Sequence, residues 1–275
     1  MRVVSPEALR APWNAAAVRR VGELRYRGDV LLTIDHDPAR GYLVETPSHG
    51  RFLVSADGTS VICAPLREAG TSWHGLLLGQ VLPLAATIRG FEIFHAGAVA
   101  VGEGAVLVSA ASGVGKSTLV AHLVARGASL VADDAVAVEL VDGRLLAHPG
   151  PPLLHLVADA AAALNTPWLR SVDSSRAKRA LLAPSAARAL PIRAFYVLER
   201  GEPGTGPRVQ DGSVHAVELL ASTFTRAVQT PERLQRQLAV CAALAAAVPV
   251  RRLSAGGPPA RAAEALWNDL SRSLA

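Results

Sequence analysis

Short apolar runs separated by turn-forming residues mark the first third of the chain, the pattern of half-buried strands. The runs are Glu23–Tyr26, Val30–Ile34, Tyr42–Thr46, Arg51–Val54 and Thr59–Cys63. Between them lie Asp35-His36-Asp37-Pro38, Pro47-Ser48-His49-Gly50 and the hairpin dipeptide Asp57-Gly58. Ser5–Arg20 predicts a helix with Ser5 as N-cap and Pro6 in its first turn, although Pro12 interrupts it. From Trp73 to Arg89 the apolar residues surround the helical axis, as in a buried core helix. Gly79 and Pro83 bend or divide that helix, and Gly90 stops it.

The pattern then changes to alternating strands and helices. Phe91–Phe94, Ala98–Val101 and Ala105–Ser109 read as strands, and a glycine-rich loop follows. A helix runs from Lys116 to Arg126, closed by Gly127. Ser129–Ala132 is a strand ending on Asp133-Asp134, and Val136–Leu140 forms a hairpin with Leu145–His148. Leu156–Leu164 predicts a helix, and Thr166–Ala180 is polar and basic. A strand at Ala194–Glu199, a loop at Gly201–Pro207 and a helical region from Val214 to Ala247, broken at Pro231, come next. Val248–Leu253 and Ala260–Ser273 close the chain as strand and helix. The order predicts an α/β protein with a β-rich region over 1–90 and an α/β domain over 91–275.

Composition narrows the classes of function. Half of the 275 residues are hydrophobic, enough for a substantial core. The net charge of +5 favours acidic partners, but no block of basic residues and only 4% aromatics argue against a nucleic-acid surface. Cys63 and Cys241 lie too far apart for a metal or redox motif and read as buried thiols. No signal-peptide pattern opens the sequence, and the apolar runs Leu76–Ile88 and Leu238–Val250 are too short to span a bilayer. The expectation is a cytoplasmic protein with no membrane and no nucleic-acid partner.

The informative segment is Ala110–Thr118, Ala-Ala-Ser-Gly-Val-Gly-Lys-Ser-Thr, between an apolar strand and a helix. Small residues let successive backbone N–H groups converge on phosphate oxygens, and the helix adds its positive N-terminus. Ala111, Ser112, Gly113, Val114, Gly115, Lys116, Ser117 and Thr118 are therefore the expected nucleotide-binding residues. Lys116 reaches the β and γ phosphates, and the Ser117 hydroxyl joins a magnesium shell. Ala110 departs from the pattern, which has glycine there; in a left-handed conformation it would cost roughly 1 kcal/mol, and in another conformation nothing.

Asp133-Asp134 lies seventeen positions after Lys116, at the end of a strand. Adjacent strand residues point to opposite sides, so one carboxylate can reach the cation and the other an incoming hydroxyl. One of the two can equally cap the next turn. His95, one strand before the loop, has no site warrant from distance alone.

These residues resemble a family. His95-Ala96-Gly97-Ala98-Val99-Ala100-Val101, then Ala110–Thr118, then Ala125-Arg126-Gly127-Ala128-Ser129-Leu130-Val131-Ala132-Asp133-Asp134 resemble the kinase domain of HPr kinase/phosphorylase in order and spacing. The nearer resemblance is to the HPr-kinase-like proteins of bacterial peptide natural-product clusters, lasso peptide kinases among them. It rests on the β-rich N-terminal half, Leu77–Leu84, Lys178-Arg179 after a short helix, the strand Ala194–Arg200 and the closing strand–helix unit Val248–Leu270.

The resemblance implies a phosphoenolpyruvate-carboxykinase-like P-loop kinase core. It implies Asp133 as general base, Asp134 and Ser117 as magnesium ligands, His95 near the transferred phosphate and Lys178 as a phosphate-reaching cation. Lys178 reads equally as a solvated charge beside Arg176 and Arg179. The HPr-binding C-terminal motif of the bifunctional enzyme is not evident, which points away from HPr as substrate and from the phosphorylase reaction. The expected activity is ATP- and Mg-dependent transfer to a serine on a precursor peptide. A small-molecule hydroxyl kinase and a nucleotide-binding accessory protein without transfer are the alternatives. The loop reads phosphates and not the base, so ATP and GTP stay open, as does homo-oligomer formation.

Overall fold

The computed structural model describes residues 1–9, 17–164, 166, 170–173, 178–202, 204–212, 216–224 and 227–274. They form two compact units, each assembled from two stretches of chain: Met1–Ile93 with Phe224–Arg236, and Phe94–Thr223 with Gln237–Ala275.

The first unit is built on β1 (Arg2–Val3), β2 (Arg19–Tyr26), β3 (Asp29–Asp37), β4 (Gly41–Thr46), β5 (Gly50–Val54) and β6 (Val61–Pro65). They form one sheet in the order β1-β6-β5-β4-β3-β2. Val44, Phe52, Val54 and Cys63 are fully buried, and the sheet residues cluster with Trp73, Leu77, Val81 and Leu84. Those last four lie on a continuous helical run made of α1 (Trp73–Leu76), a wider π-type turn at Leu77–Val81 and α2 (Leu82–Ile88). Gly79 and Pro83 thus modify the helix without ending it. Arg233 donates to Glu92 at 2.7 Å, both side chains buried, and ties the stretch 224–236 to this unit.

The expected helix at Ser5–Arg20 is corrected. Pro6–Leu9 is a short 3₁₀ turn, and Arg19 already belongs to β2, paired with His36 of β3. Residues 10–16 lie outside the described residues. Strand pairing, with Arg20 bonded to Asp35 and Glu23, overrides the local capping signal.

Strand β7 (Glu92–Phe94) leads out of the first unit. The second unit follows with β8 (Ala96–Val101), β9 (Gly104–Ala110), α3 (Lys116–Ala125), β10 (Ser129–Ala132), β11 (Val136–Val141) and β12 (Arg144–His148). Next come β13 (Leu153–Val157), α4 (Ala158–Leu164), β14 (Arg170–Asp173), β15 (Lys178–Leu182) and β16 (Leu190–Arg200). The chain ends with β17 (Arg208–Asp211), α5 (Ala216–Ala221), α6 (Pro231–Ala247), β18 (Val250–Ala255) and α7 (Pro259–Leu274).

The main sheet runs β10-β8-β9-β16-β12-β11, with β18 parallel to β16. Along β9, Val106 and Val108 pack with Leu119, Val120 and Leu123 of α3 and Leu266 of α7. Ala105 and Leu107 pack on the other face with Val240, Cys241 and Leu244 of α6. Helices on both faces explain the unbroken apolar run of this strand. Both cysteines are buried and neither forms a disulfide. No described helix is long and apolar enough to cross a membrane.

The expected helix Leu156–Leu164 is also corrected, since Leu153–Val157 is strand and the helix begins at Ala158. A partner distant in sequence decides this. β13 pairs along its length with β15, and β15 with β14, inside the stretch read as merely polar.

Burial, and then the charge of Arg126, push the His122 imidazole on α3 below the usual histidine range. A base with a lowered folded pKa binds fewer protons than its unfolded counterpart, so stability falls as pH drops below about 6.5. The loss continues down to the folded value. His122→Leu is expected to flatten the decline of Tm between pH 7 and pH 5. Equal slopes for wild type and variant in a pH series of melting curves would refute this.

Candidate functional site

Strand direction assembles the site. β8 is antiparallel to β9, and β10 is antiparallel to β8. Hence β9 and β10 run the same way, and their C-terminal ends reach the edge where β8 begins. The loop after β9, Asp133-Asp134 after β10 and His95 before β8 meet there.

The loop begins with Ala110, the last residue of β9, paired with Leu198 of the parallel strand β16. Ala110 is absent from the residues with positive φ, so its departure from glycine carries no backbone cost. The left-handed conformations fall on Gly113, at φ 82°, and Gly115, at φ 114°, where no side chain is tolerated cheaply. Gly115 is the N-cap of α3, and Lys116 is the first residue of that helix. A cavity of about 310 Å³ lies against the loop. Of the expected nucleotide-binding residues, Ala111, Ser112, Gly113, Gly115, Lys116, Ser117 and Thr118 line it. Val114 instead packs against the apolar core.

Lys116 is only 7% exposed, which a lysine tolerates when paired. Its Nζ donates to Asp134 Oδ1 at 2.7 Å. Ser117 Oγ donates to Asp133 Oδ1 at 3.0 Å, and the His155 backbone N–H donates to Asp133 Oδ2 at 3.1 Å. Burial raises the Asp133 pKa above the usual carboxylate value, and the neighbouring Asp134 charge adds to this. Asp134 adopts φ 68°, a left-handed conformation that aspartate reaches more readily than most residues. The turn places the two carboxylates on different partners of one loop.

His95 lines the same cavity, its Nδ1 3.1 Å from the Asp134 carbonyl oxygen, and its backbone N–H donates to Ser222 O at 2.6 Å. Burial, then the Lys116 charge, lowers its pKa, so the ring is neutral at neutral pH. Lys178 opens β15 opposite Val157, a cavity residue, but its side chain lies outside what the structure describes. Arg176 falls outside the described residues altogether.

Sequence reading missed His155. It lines the cavity, and its ring nitrogen, with carboxylate oxygens of Asp133 and Asp134, forms a group whose atoms lie within 4.8 Å of one another. The usable signal was alternation, because Leu154 and Leu156 are buried on either side of it.

The glycine-containing loop at the α3 N-terminus, with two carboxylates and a serine hydroxyl beside it, presents groups that could hold a phosphate and a divalent cation. Residues 88–158, about a quarter of the chain, match the family model described as the HPr Serine kinase C-terminal domain. Among solved structures the chain is similar to the Hpr(Ser) kinase/phosphatase from Coxiella burnetii. The identity is 12% and the TM-score 0.35, over 66% of this chain and 99% of that one, too distant a likeness to argue from. No curated protein matches the chain by sequence.

Proposed function

We propose that the protein is an ATP- and Mg-dependent kinase of the HPr-kinase-like type with a phosphoenolpyruvate-carboxykinase-like core. It phosphorylates a serine hydroxyl, at the C-terminus of a lasso-type precursor peptide. One observation carries the reading: Lys116 and Ser117 of the loop are bonded to Asp134 and Asp133 in the segment that matches the kinase family model.

The chemistry follows from the residues. The backbone N–H groups of the loop and the α3 N-terminus hold the phosphates. Lys116 exchanges its Asp134 partner for β and γ oxygens of the nucleotide, and Asp134 with Ser117 would hold the cation. Bound magnesium supplies charge neutralisation on the phosphate oxygens. Asp133, held in place by the His155 N–H, accepts the proton of the serine hydroxyl as that oxygen bonds to the γ phosphorus. The bond from the γ phosphorus to the bridging oxygen breaks, and ADP leaves. His95 lies at the same cavity wall; with its Nδ1–H donated to the Asp134 carbonyl oxygen, Nε2 of the neutral ring is an acceptor and donates to a phosphate oxygen only once it is protonated.

The test is mass detection of phosphate on a synthetic peptide ending in serine, with ATP and Mg²⁺. Lys116→Ala is expected to weaken nucleotide binding about tenfold or more and to abolish detectable transfer. Turnover with small alcohols and none with peptides would move the reading to a small-molecule kinase. Tight ATP binding without turnover on any hydroxyl would make it an accessory protein.

A further inference from the structure

We propose that His155 is an imidazole ligand of the cation at this site, and that it makes the site select a first-row transition cation over Mg²⁺. The proposal rests on the kinase reading in one respect only, that a divalent cation binds between the loop and the aspartates.

Three observations place the ring there. Alternation along β13 buries Leu154 and Leu156 in the core and turns His155 toward the cavity it lines. The backbone N–H of the same residue is bonded to Asp133 Oδ2, so the strand is fixed against one of the carboxylates. Ligand atoms of Asp133, Asp134 and His155 already lie within 4.8 Å of one another. Two ligands held at roughly 2.1 Å from one cation are roughly 3.0 Å apart when adjacent and at most roughly 4.2 Å apart when opposite, so the side chains must rotate inward to close on it.

The donor set has a chemical consequence. Mg²⁺ prefers an all-oxygen octahedral shell and gives up water reluctantly. An imidazole nitrogen suits first-row transition cations. Mn²⁺ is the weakest binder of that series, so a preference for Mn²⁺ over Mg²⁺ sets a lower bound for the others. Asp133 keeps Ser117 and the His155 N–H as its partners and stays the base, so the imidazole would add a donor beside Asp134 and Ser117 without displacing them.

Electron spin-echo spectroscopy on the full chain with Mn²⁺ and ADP tests this. Wild type is expected to show a directly bound nitrogen that shifts when the histidines are ¹⁵N-labelled. His95→Ala should keep that signal and His155→Ala should lose it. Mn²⁺ should bind wild type at least about tenfold more tightly than Mg²⁺, and the ratio should fall below about threefold in His155→Ala. His155→Asn, with circular dichroism and ADP titration, guards against a folding defect, and survival of the labelled nitrogen signal in His95→Ala decides the point even if both His155 variants unfold. No histidine nitrogen in wild type, its survival in His155→Ala, or an unchanged cation ratio would overturn the proposal. Serine transfer under Mg²⁺ with no nitrogen signal removes His155 and leaves the kinase reading standing. A nitrogen signal without transfer does the reverse.

Discussion

Asp133→Asn is expected to slow transfer to the serine acceptor by roughly 10²–10⁴-fold, the usual worth of a general base, with ADP affinity changed less than about threefold. The substitution preserves size and one oxygen acceptor, so the His155 N–H keeps a partner on the strand beside it. It removes the capacity to take a proton. Burial holds the Asp133 carboxyl above its usual pKa and the Asp134 charge pushes the same way, so its carboxylate has a stronger demand for a proton than one in water. Lys116 opposes this while it is paired with Asp134. Single-turnover transfer, measured with ADP titration on the same preparation, separates the two effects. Asp134→Asn provides the contrast, since a cation ligand raises the Mg²⁺ concentration needed for half-maximal transfer. Asp133→Asn with wild-type transfer would move the base elsewhere, and equal cation defects in both variants would make them a shared ligand pair.

The loop was legible because its chemistry is set by residue types at fixed local spacing. Gly113 and Gly115 stand where φ is positive, and Lys116 and Ser117 open the helix. The aspartate pair was legible because β10 is a short apolar strand that ends on it. Its partners were not. That Ser117 bonds Asp133 and Lys116 bonds Asp134 depends on the turn at Asp134, a conformation no pattern announces. Leu156 and Val157 looked helical because they run into the alanine-rich α4, and the partner of their strand lies at Lys178–Leu182, beyond a polar stretch. His155 was lost with that strand. The doubt over Ala110 disappears for the same kind of reason, because pairing with Leu198 keeps that residue extended.

Gly97→Val is expected to lower Tm by roughly 3–10 °C, from about 1–3 kcal/mol of overpacking, and to weaken ADP binding about tenfold. Gly97 lies on β8, where its α-carbon faces α3, and its φ is not positive, so space alone forbids a side chain. A Cβ there would stand 2.6 Å from Val120 Cγ2. Val120 is fully buried in the core beneath α3 and has no solvent to retreat into, so the helix itself must move. The same Cβ would reach 3.7 Å from Lys116 Cγ and from Asp133 Oδ1, and the extra methyl groups of valine extend past it toward both. Displacing α3 therefore shifts the phosphate cation and the carboxylate together, which couples the stability loss to the binding loss. Gly79→Ala is the control, since a Cβ there meets nothing within 4 Å and alanine favours the surrounding helix. Thermal melts and ADP titration on the three proteins decide the matter. Wild-type values for Gly97→Val would show that β8 does not support the loop. A lowered Tm with unchanged ADP affinity would show that α3 can shift while the phosphate cradle keeps its shape.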